Sequence, residues 1–137
     1  MDRFYGLWRV QLDKSVGFTE IARLFGWSEE KLKMMSTLDY TLLLETSPGD
    51  KGRCLVDYGV LKTEFLFKLG EPFDFLGADG TQAKCTVNLE DGVLIENYIS
   101  GEGIKWRTER VLDGTNMKAI TSFEISDVKC IQELVKV

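Results

Sequence analysis

The sequence predicts an all-β protein, either a sandwich or an up-and-down barrel. About ten short runs with strand-like patterns follow one another at roughly ten-residue spacing. Gly, Asp, Ser and Pro residues separate nearly all of these runs, in segments of hairpin length. Helical periodicity is confined to two short stretches that follow the first run. This pattern is typical of antiparallel strands joined by tight turns.

The first strand is predicted from Phe4 to Lys14. Alternation places Trp8, Val10 and Leu12 on one face of this strand. Gly6 leaves room for a bend or for the close approach of another backbone. We therefore expect the apolar face of this strand to point into the core.

Two short helices are predicted after the first strand. In the first, apolar residues recur at i, i+3, i+4 and i+7, and Gly26 can end the helix. The second follows Ser28, a favourable N-cap, and ends near Met35. Helices of this length are marginal in water on their own. We therefore expect a helical hairpin that packs over one end of a barrel. The apolar positions of the first helix are Phe18, Ile21, Ala22 and Phe25.

From Leu38 onward the sequence predicts only strands and turns. Together with the first strand, these runs make about ten strands. A barrel of roughly eight strands is filled by its own side chains, so a barrel of ten is expected to enclose a lumen for a ligand. The predicted runs are Tyr40–Thr46, Arg53–Gly59, Val60–Leu69, Phe73–Leu76, Thr81–Leu89, Val93–Ile99, Ile104–Leu112, Met117–Glu124 and Val128–Lys136.

Length and composition favour one globular domain, residues 1–137. The net charge of −5 argues against nucleic acid as a partner. No apolar run approaches the roughly 20 residues of a membrane span. The first 14 residues carry scattered charges and no signal-peptide core. We therefore expect a protein of the cytoplasm, with the nucleus as a second compartment.

The cysteines and the absent histidines restrict the chemistry. Cys54, Cys85 and Cys130 are far apart in strand-like runs, where a free cysteine usually behaves as a small buried apolar residue. The chain contains no histidine, which excludes Ser-His-Asp and Cys-His nucleophile systems and most zinc sites. We see no catalytic carboxylate pair either, and we expect neither a metal nor another cofactor.

The most informative run is Gly103–Gly114. Its alternation makes one face mostly apolar and therefore inward-facing, and that face includes Arg110. An unpaired charge away from water costs several kcal/mol. Two interpretations stay open: Arg110 meets the polar end of an apolar ligand, or it pairs with an internal carboxylate or reaches solvent. The inward set is Ile104, Trp106, Thr108, Arg110 and Leu112, and the outward set is Lys105, Arg107 and Glu109.

Several segments, in order and with short gaps, resemble one known family. They are FYGLWRV near the start, the helix-turn-helix, KTEFLFKLGEPFDF at Lys62–Phe75, KCTVNLEDG at Lys84–Gly92, ERVLDG at Glu109–Gly114 and the terminal VKCIQELVKV. With these segments the chain resembles the intracellular lipid-binding proteins, the family of fatty-acid-binding and cellular retinoid-binding proteins. The resemblance implies a ten-stranded antiparallel up-and-down β-barrel, or β-clam, with a helix-turn-helix lid and lipid inside.

The resemblance also implies where the ligand head group binds. Fatty-acid binders of this family hold the carboxylate with an Arg on the eighth strand, then an Arg and a Tyr on the tenth. Counting back from the turn at Gly114, Arg110 takes the first position, whereas Gln132 and Leu134 take the other two. The expected head-group residues are therefore Arg110 and Gln132, with one charge instead of two. An Arg with a Gln amide suits a carboxylate, and also the amide, hydroxyl or ester of a neutral acyl lipid.

Further residues are assigned by the same resemblance. It favours the face of Val93–Ile99 that includes Glu96 and Tyr98 as the inward one, which makes Glu96 the candidate internal partner of Arg110. Trp8 and Phe67 are expected to fill the closed end of the barrel. The expected cavity lining is Trp106, Thr108, Leu134, Phe65, Phe75, Tyr98 and Glu96. The expected portal for ligand entry is Leu32, Met35, Val60, Leu61 and Leu76, for which ordinary lid packing is the alternative.

The sequence thus predicts a non-catalytic, monomeric carrier of a long-chain fatty acid or related acyl lipid. Such a carrier would deliver its ligand to membranes, enzymes or nuclear receptors through transient contacts. Gln132 supports a retinoid or a neutral acyl lipid as the alternative ligand. A histidine-free enzyme such as a lipid isomerase is a further alternative, from a different class.

Overall fold

The structure is a computed structural model that describes residues 1–78 and 80–137. These residues form one antiparallel sheet of ten strands, two α-helices and an N-terminal 3₁₀ turn at Asp2–Phe4. The helices are α1 (Phe18–Phe25) and α2 (Glu29–Ser36). The strands are β1 (Gly6–Val16), β2 (Thr41–Ser47), β3 (Lys51–Asp57), β4 (Lys62–Phe67), β5 (Phe73–Leu76), β6 (Gln82–Glu90), β7 (Val93–Ser100), β8 (Lys105–Asp113), β9 (Asn116–Phe123) and β10 (Ser126–Lys136).

The sheet is a meander that curls into a nearly closed barrel. Its order is β4-β3-β2-β1-β10-β9-β8-β7-β6-β5, so each strand lies beside its neighbour in sequence and β1 also pairs with β10. Among the described residues no hydrogen-bonded ladder joins the edge strands β4 and β5. Aromatic rings close this gap instead: Phe65 stacks on Phe73 at 5.1 Å between ring centroids and meets Phe75 edge-on at 5.8 Å. The predicted up-and-down barrel is confirmed.

The N-terminus differs from the prediction, because Phe4 lies in the 3₁₀ turn and the first strand starts at Gly6. The indole N–H of Trp8 donates to the Phe4 carbonyl at 2.9 Å, which holds the turn against the closed end of the barrel. Phe4 and Trp8 are both buried there. A strand pattern in the sequence cannot distinguish this tucked turn from an extended start.

The fourth strand is shorter than the predicted Val60–Leu69. The backbone N–H of Tyr58 donates to the Leu61 carbonyl at 2.8 Å and closes a turn before β4 begins at Lys62. Gly59, inside this turn, has a φ of 87°, the left-handed region that favours glycine. Val60 and Leu61 therefore lie in an exposed turn.

The closed end of the barrel is packed solid with apolar side chains. Gly52 in β3 allows the Phe67 ring to lie directly against the backbone of β3, because a Cβ at position 52 would lie 2.3 Å from this ring. Trp8 and Phe67 fill this end, as predicted. The buried set at this end includes Phe4, Trp8, Val10, Leu44, Phe67, Leu94, Met117 and Leu134.

The two helices form a lid over the other end. Gly26 ends α1 in the left-handed conformation, and the Ser28 hydroxyl accepts from the Lys31 backbone N–H at 3.1 Å to cap α2. Both helix boundaries agree with the prediction. Phe25 at the end of α1 packs edge-on against Trp106 and Phe123, at 5.2 and 5.4 Å between centroids. Neither helix is long and apolar enough to cross a membrane, within the described part of the chain.

Replacing Gly17 by alanine is expected to destabilise the fold more than the same change at Gly26. Both glycines have positive φ, 86° and 69°, so both alanines incur left-handed strain of about 1–2 kcal/mol. At Gly17 the new Cβ would also lie 2.0 Å from the Lys129 carbonyl oxygen of β10. At Gly26 it would meet no described atom within 4 Å. The extra clash should cost roughly 1–3 kcal/mol, measured by urea unfolding. Equal losses from the two variants would contradict the close α1–β10 contact.

Candidate functional site

A cavity of about 400 Å³ lies inside the barrel beneath the lid. This volume is within the range of roughly 300–1,000 Å³ found for small-molecule sites. The described lining residues are mostly apolar or aromatic, and Glu96 and Arg110 are the two among them with an ionisable carboxylate or a cationic side chain. The site is therefore an apolar chamber with one localised polar centre.

Strand register arranges the inward side chains of β7 to β10 in layers across the barrel. Just beneath the lid comes an aromatic layer, Tyr98–Trp106–Phe123. The next layer is Glu96–Thr108–Thr121–Cys130, and below it lies Leu94–Arg110–Ala119–Gln132. The deepest is Leu112–Met117–Leu134. Arg110 and Gln132 line the cavity and the deepest layer does not, so these two residues form the cavity floor on this side.

The Arg110 guanidinium is paired inside the barrel. Its Nε donates to Oε2 of Glu96, and the Tyr98 hydroxyl donates to Oε1 of the same carboxylate. Glu96 and Arg110 belong to adjacent layers, and such diagonal neighbours on paired strands are within reach of long side chains. Their side chains are 9% and 16% exposed, respectively. Of the two interpretations of the sequence, the structure therefore shows the second: Arg110 pairs with an internal carboxylate, that of Glu96.

The environment keeps the Arg110 guanidinium protonated and the surrounding phenols neutral. Burial alone lowers the pKa of Arg110, but the adjacent Glu96 carboxylate outweighs it and leaves the pKa above its ordinary value. Burial, followed by the charge of Glu96, raises the pKa of Tyr98 well above its ordinary value. Burial likewise raises the pKa of Tyr40. At neutral pH both phenols are therefore hydrogen-bond donors.

Tyr40 is a site residue that the sequence reasoning missed. Its hydroxyl donates to Oε1 of Gln132 at 2.9 Å, from the segment just before β2. Residue 134, where the resemblance places a tyrosine, is Leu, so Tyr40 brings a phenol to this region from the segment before β2. The sequence offered Tyr40 only as the start of a strand. Its inward position depends on β2 lying two strands away from β10 in the sheet.

Two threonine side chains make a further polar contact on the inner face of the barrel, one layer above the floor. The hydroxyls of Thr108 and Thr121 lie 2.9 Å apart on the paired strands β8 and β9. Both residues line the cavity, and Thr108 is buried. Every described buried side-chain nitrogen and oxygen has a hydrogen-bond partner, so the polar centre is internally satisfied.

Most of the residues predicted to line the cavity do so, with one exception. Trp106, Thr108, Tyr98 and Glu96 line it from β7 and β8, and Phe65 and Phe75 line it from the edge strands. Leu134 is a correction: it points inward but is fully buried between Val10 and Met117, one layer below the cavity. Alternation fixes which face a side chain takes, whereas the depth of packing decides whether it reaches open space.

The predicted portal residues divide into two groups. Met35 lines the cavity from α2, whereas Leu32 is half-buried in the lid. The other three, Val60, Leu61 and Leu76, are exposed, Val60 at 94%. Apolar side chains with this exposure near the β4–β5 gap are compatible with an entrance. Their role in ligand entry stays a prediction.

The chain is similar along its whole length to fatty acid-binding proteins. It is 27% identical to fatty acid-binding protein homolog 1 of Echinococcus granulosus over 137 residues, which is 100% of this chain and 99% of that protein. It is 33% identical to a muscle fatty acid-binding protein of Schistocerca gregaria over 84 residues, 61% of this chain and 62% of that protein. No protein-family model matches the chain.

Solved structures of fatty acid-binding proteins are also similar to this chain. The crystal structure of the Echinococcus protein has a TM-score of 0.91 to this chain at 27% identity, covering 100% of this chain and 99% of that one. The chain belongs to the fatty acid-binding protein family. A Schistosoma mansoni fatty acid-binding protein, solved with arachidonic acid, shares the fold with a TM-score of 0.89 at 24% identity, covering 100% of this chain and 98% of that one.

Membership of the fatty acid-binding protein family agrees with the chemistry of the cavity. The family consists of non-enzymatic lipid-binding proteins, so this chain is a binding protein and not an enzyme. Within the described residues, no group of His, Cys, Asp and Glu side chains is arranged to hold a metal ion.

The cysteines of this fatty acid-binding protein are expected to be unreactive while it is folded. Cys54, Cys85 and Cys130 are buried free thiols, and burial raises the pKa of Cys54 to about 12 and that of Cys130 to about 11. Only the thiolate is nucleophilic, and an exposed cysteine has a pKa of about 8.5. At about pH 8, iodoacetamide should label the folded protein at least about a hundredfold more slowly than the protein unfolded in guanidinium chloride. Rapid labelling of any one thiol, located by peptide mass spectrometry, would contradict this environment.

Proposed function

We propose that residues 1–137 act as one lipid-binding domain that carries a long-chain fatty acid or a closely related acyl lipid. The observation that carries this proposal is the apolar cavity of about 400 Å³ whose floor presents a guanidinium and an amide. The arachidonic acid bound to the Schistosoma relative supports a fatty acid as the ligand class. Delivery to membranes, enzymes or nuclear receptors, in the cytoplasm and the nucleus, is part of the same proposal.

The acyl chain would supply most of the binding free energy. Burial of each CH₂ group contributes about 0.8 kcal/mol, so a chain of roughly sixteen carbons offers about 12 kcal/mol before the costs of binding. The aromatic layer and the lid provide apolar surface for it, including Phe25, Trp106 and Phe75. The head group would mainly set the orientation and depth of the chain.

Arg110 and Gln132 are the proposed head-group residues, with Tyr40 as an additional one. The guanidinium has five N–H donors, of which Nε is directed to Glu96. Gln132 accepts from Tyr40 through its carbonyl oxygen, and its NH₂ group is a donor. Donors of both kinds suit the oxygen atoms of a carboxylate, an amide or an alcohol.

A neutral acyl lipid, such as an acyl amide or a monoacylglycerol, or a retinoid is the second candidate ligand. The observation that favours it is the ion pair itself: Glu96 already balances the charge of Arg110. Arg110, Gln132 and Glu96 together have no net charge, so an uncharged head group would meet donors and acceptors without adding a buried charge. Titrating the protein with oleate, oleamide and retinol distinguishes the candidates, and mass spectrometry of the lipid that co-purifies with it identifies the native ligand.

Replacing Arg110 by alanine is expected to weaken the binding of a fluorescent fatty acid by about tenfold or more. The reason is that hydrogen bonds to charged groups contribute roughly 1.5–3 kcal/mol. Lys105→Ala is the matched control, because Lys105 is exposed on the outward face of the same strand. It should leave the Kd unchanged.

Removing Arg110 alone leaves Glu96 without its cation, so the double variant Arg110→Met/Glu96→Gln is made in parallel. This variant removes both charges and keeps the volumes similar. It should also bind the fatty acid more weakly than the Lys105→Ala control. The same Kd in all three variants would exclude Arg110 from the site.

A further inference from the structure

The carboxylate of Glu96, one layer above the Arg110–Gln132 floor, lies where a ligand carboxylate would also bind. Glu96 accepts from both Arg110 and Tyr98, so the best donors near the floor are already engaged by a negative charge of the protein. An ionised fatty acid entering this site would place a second carboxylate beside the first. Two carboxylates that share one site cannot both stay ionised at low cost, and such pairs take up a proton.

Other groups around the floor offer no second positive charge. The titratable groups close enough to interact with the charges of both Glu96 and Arg110 are the phenols of Tyr40 and Tyr98 and the thiols of Cys54 and Cys85. The phenol of Tyr58 and the thiol of Cys130 line the same cavity. None of these groups becomes cationic. The chain has no histidine that could supply a charge near pH 7. Among the described lining residues, Arg110 is the only side chain that carries a positive charge.

We propose that Glu96 couples fatty-acid binding to the uptake of one proton and thereby makes the cavity favour uncharged acyl head groups. This inference rests on the proposed function. The ionised fatty acid and one proton from solvent enter together, and the proton is shared between the ligand carboxylate and Glu96. Arg110 then faces one net negative charge in the complex, as it does in the free protein. An acyl amide or alcohol binds with no proton, since it brings no charge.

The number of protons taken up is measured by isothermal titration calorimetry at about pH 7.5. Oleate and oleamide, which have the same chain, are titrated in buffers with different ionisation enthalpies. The slope of the observed enthalpy against the ionisation enthalpy gives the protons taken up. For the wild-type protein we expect a slope close to one with oleate and close to zero with oleamide. The Kd for oleate should also weaken by about tenfold per pH unit as the pH rises.

Glu96→Gln should bring the oleate slope close to zero and tighten oleate binding about tenfold or more, because Arg110 is then free for the ligand. Glu109→Gln is the control: it removes the same charge from a carboxylate that pairs with Arg107 on the outward face of β8. It should keep the wild-type slope.

A wild-type oleate slope close to zero, or a slope unchanged by Glu96→Gln, would overturn the inference while fatty-acid carriage stands. Should Glu96→Gln fail to fold, the wild-type comparison of oleate with oleamide decides alone. If neither ligand binds the wild-type protein, the proposed function itself fails.

Discussion

The ion pair between Glu96 and Arg110 determines how the interior of this protein is organised. A buried guanidinium needs an anion, and a buried carboxylate needs hydrogen-bond donors. Glu96 is the anion for Arg110, and Arg110 and Tyr98 are the donors to Glu96. The pair lies between an aromatic layer beneath the lid and a solid apolar layer at the closed end. It therefore separates the part of the barrel that stabilises the fold from the part that is open to a ligand.

The solid end and the hollow end depend on different kinds of contact. At the closed end, Trp8, Met117 and Leu134 interlock with almost no exposure, as a protein core does. At the other end, Phe25 of α1 packs edge-on against the aromatic layer, and Ile21 and Ala22 of the same helix are buried. Gly17 permits this arrangement, because any side chain there would collide with the backbone of β10. Of the two lid helices, α2 has no buried residue, which suits an element that would open for a ligand to enter.

The sequence predicted the strands, the helices and the inward direction of Arg110, because each follows from local periodicity. Glu96 could be named as a candidate partner only through the family resemblance, since alternation alone left both faces of its strand open. Tyr40 could not be found, because its contact with Gln132 joins residues that are distant in sequence and meet only when the barrel closes. The same resemblance places Leu134 in the cavity, but the sequence does not reveal how deeply its side chain is packed. Long-range packing, rather than strand pattern, decides those two positions.

Where the family resemblance places two arginines near the ligand head group, this chain has one, and this difference bears on which head groups the cavity would favour. Gln132 stands where the family resemblance places a second Arg, so Arg110, Glu96 and Gln132 together have no net charge in the free protein. In a low-dielectric chamber an added charge costs more than an added dipole, because the cost of burying an ion exceeds that of burying a polar group. The chain of the ligand still gains the same apolar contacts whichever head group it carries. In the proposed carrier, the apolar cavity wall would therefore supply most of the affinity, and Glu96 would set the selectivity between charged and uncharged head groups.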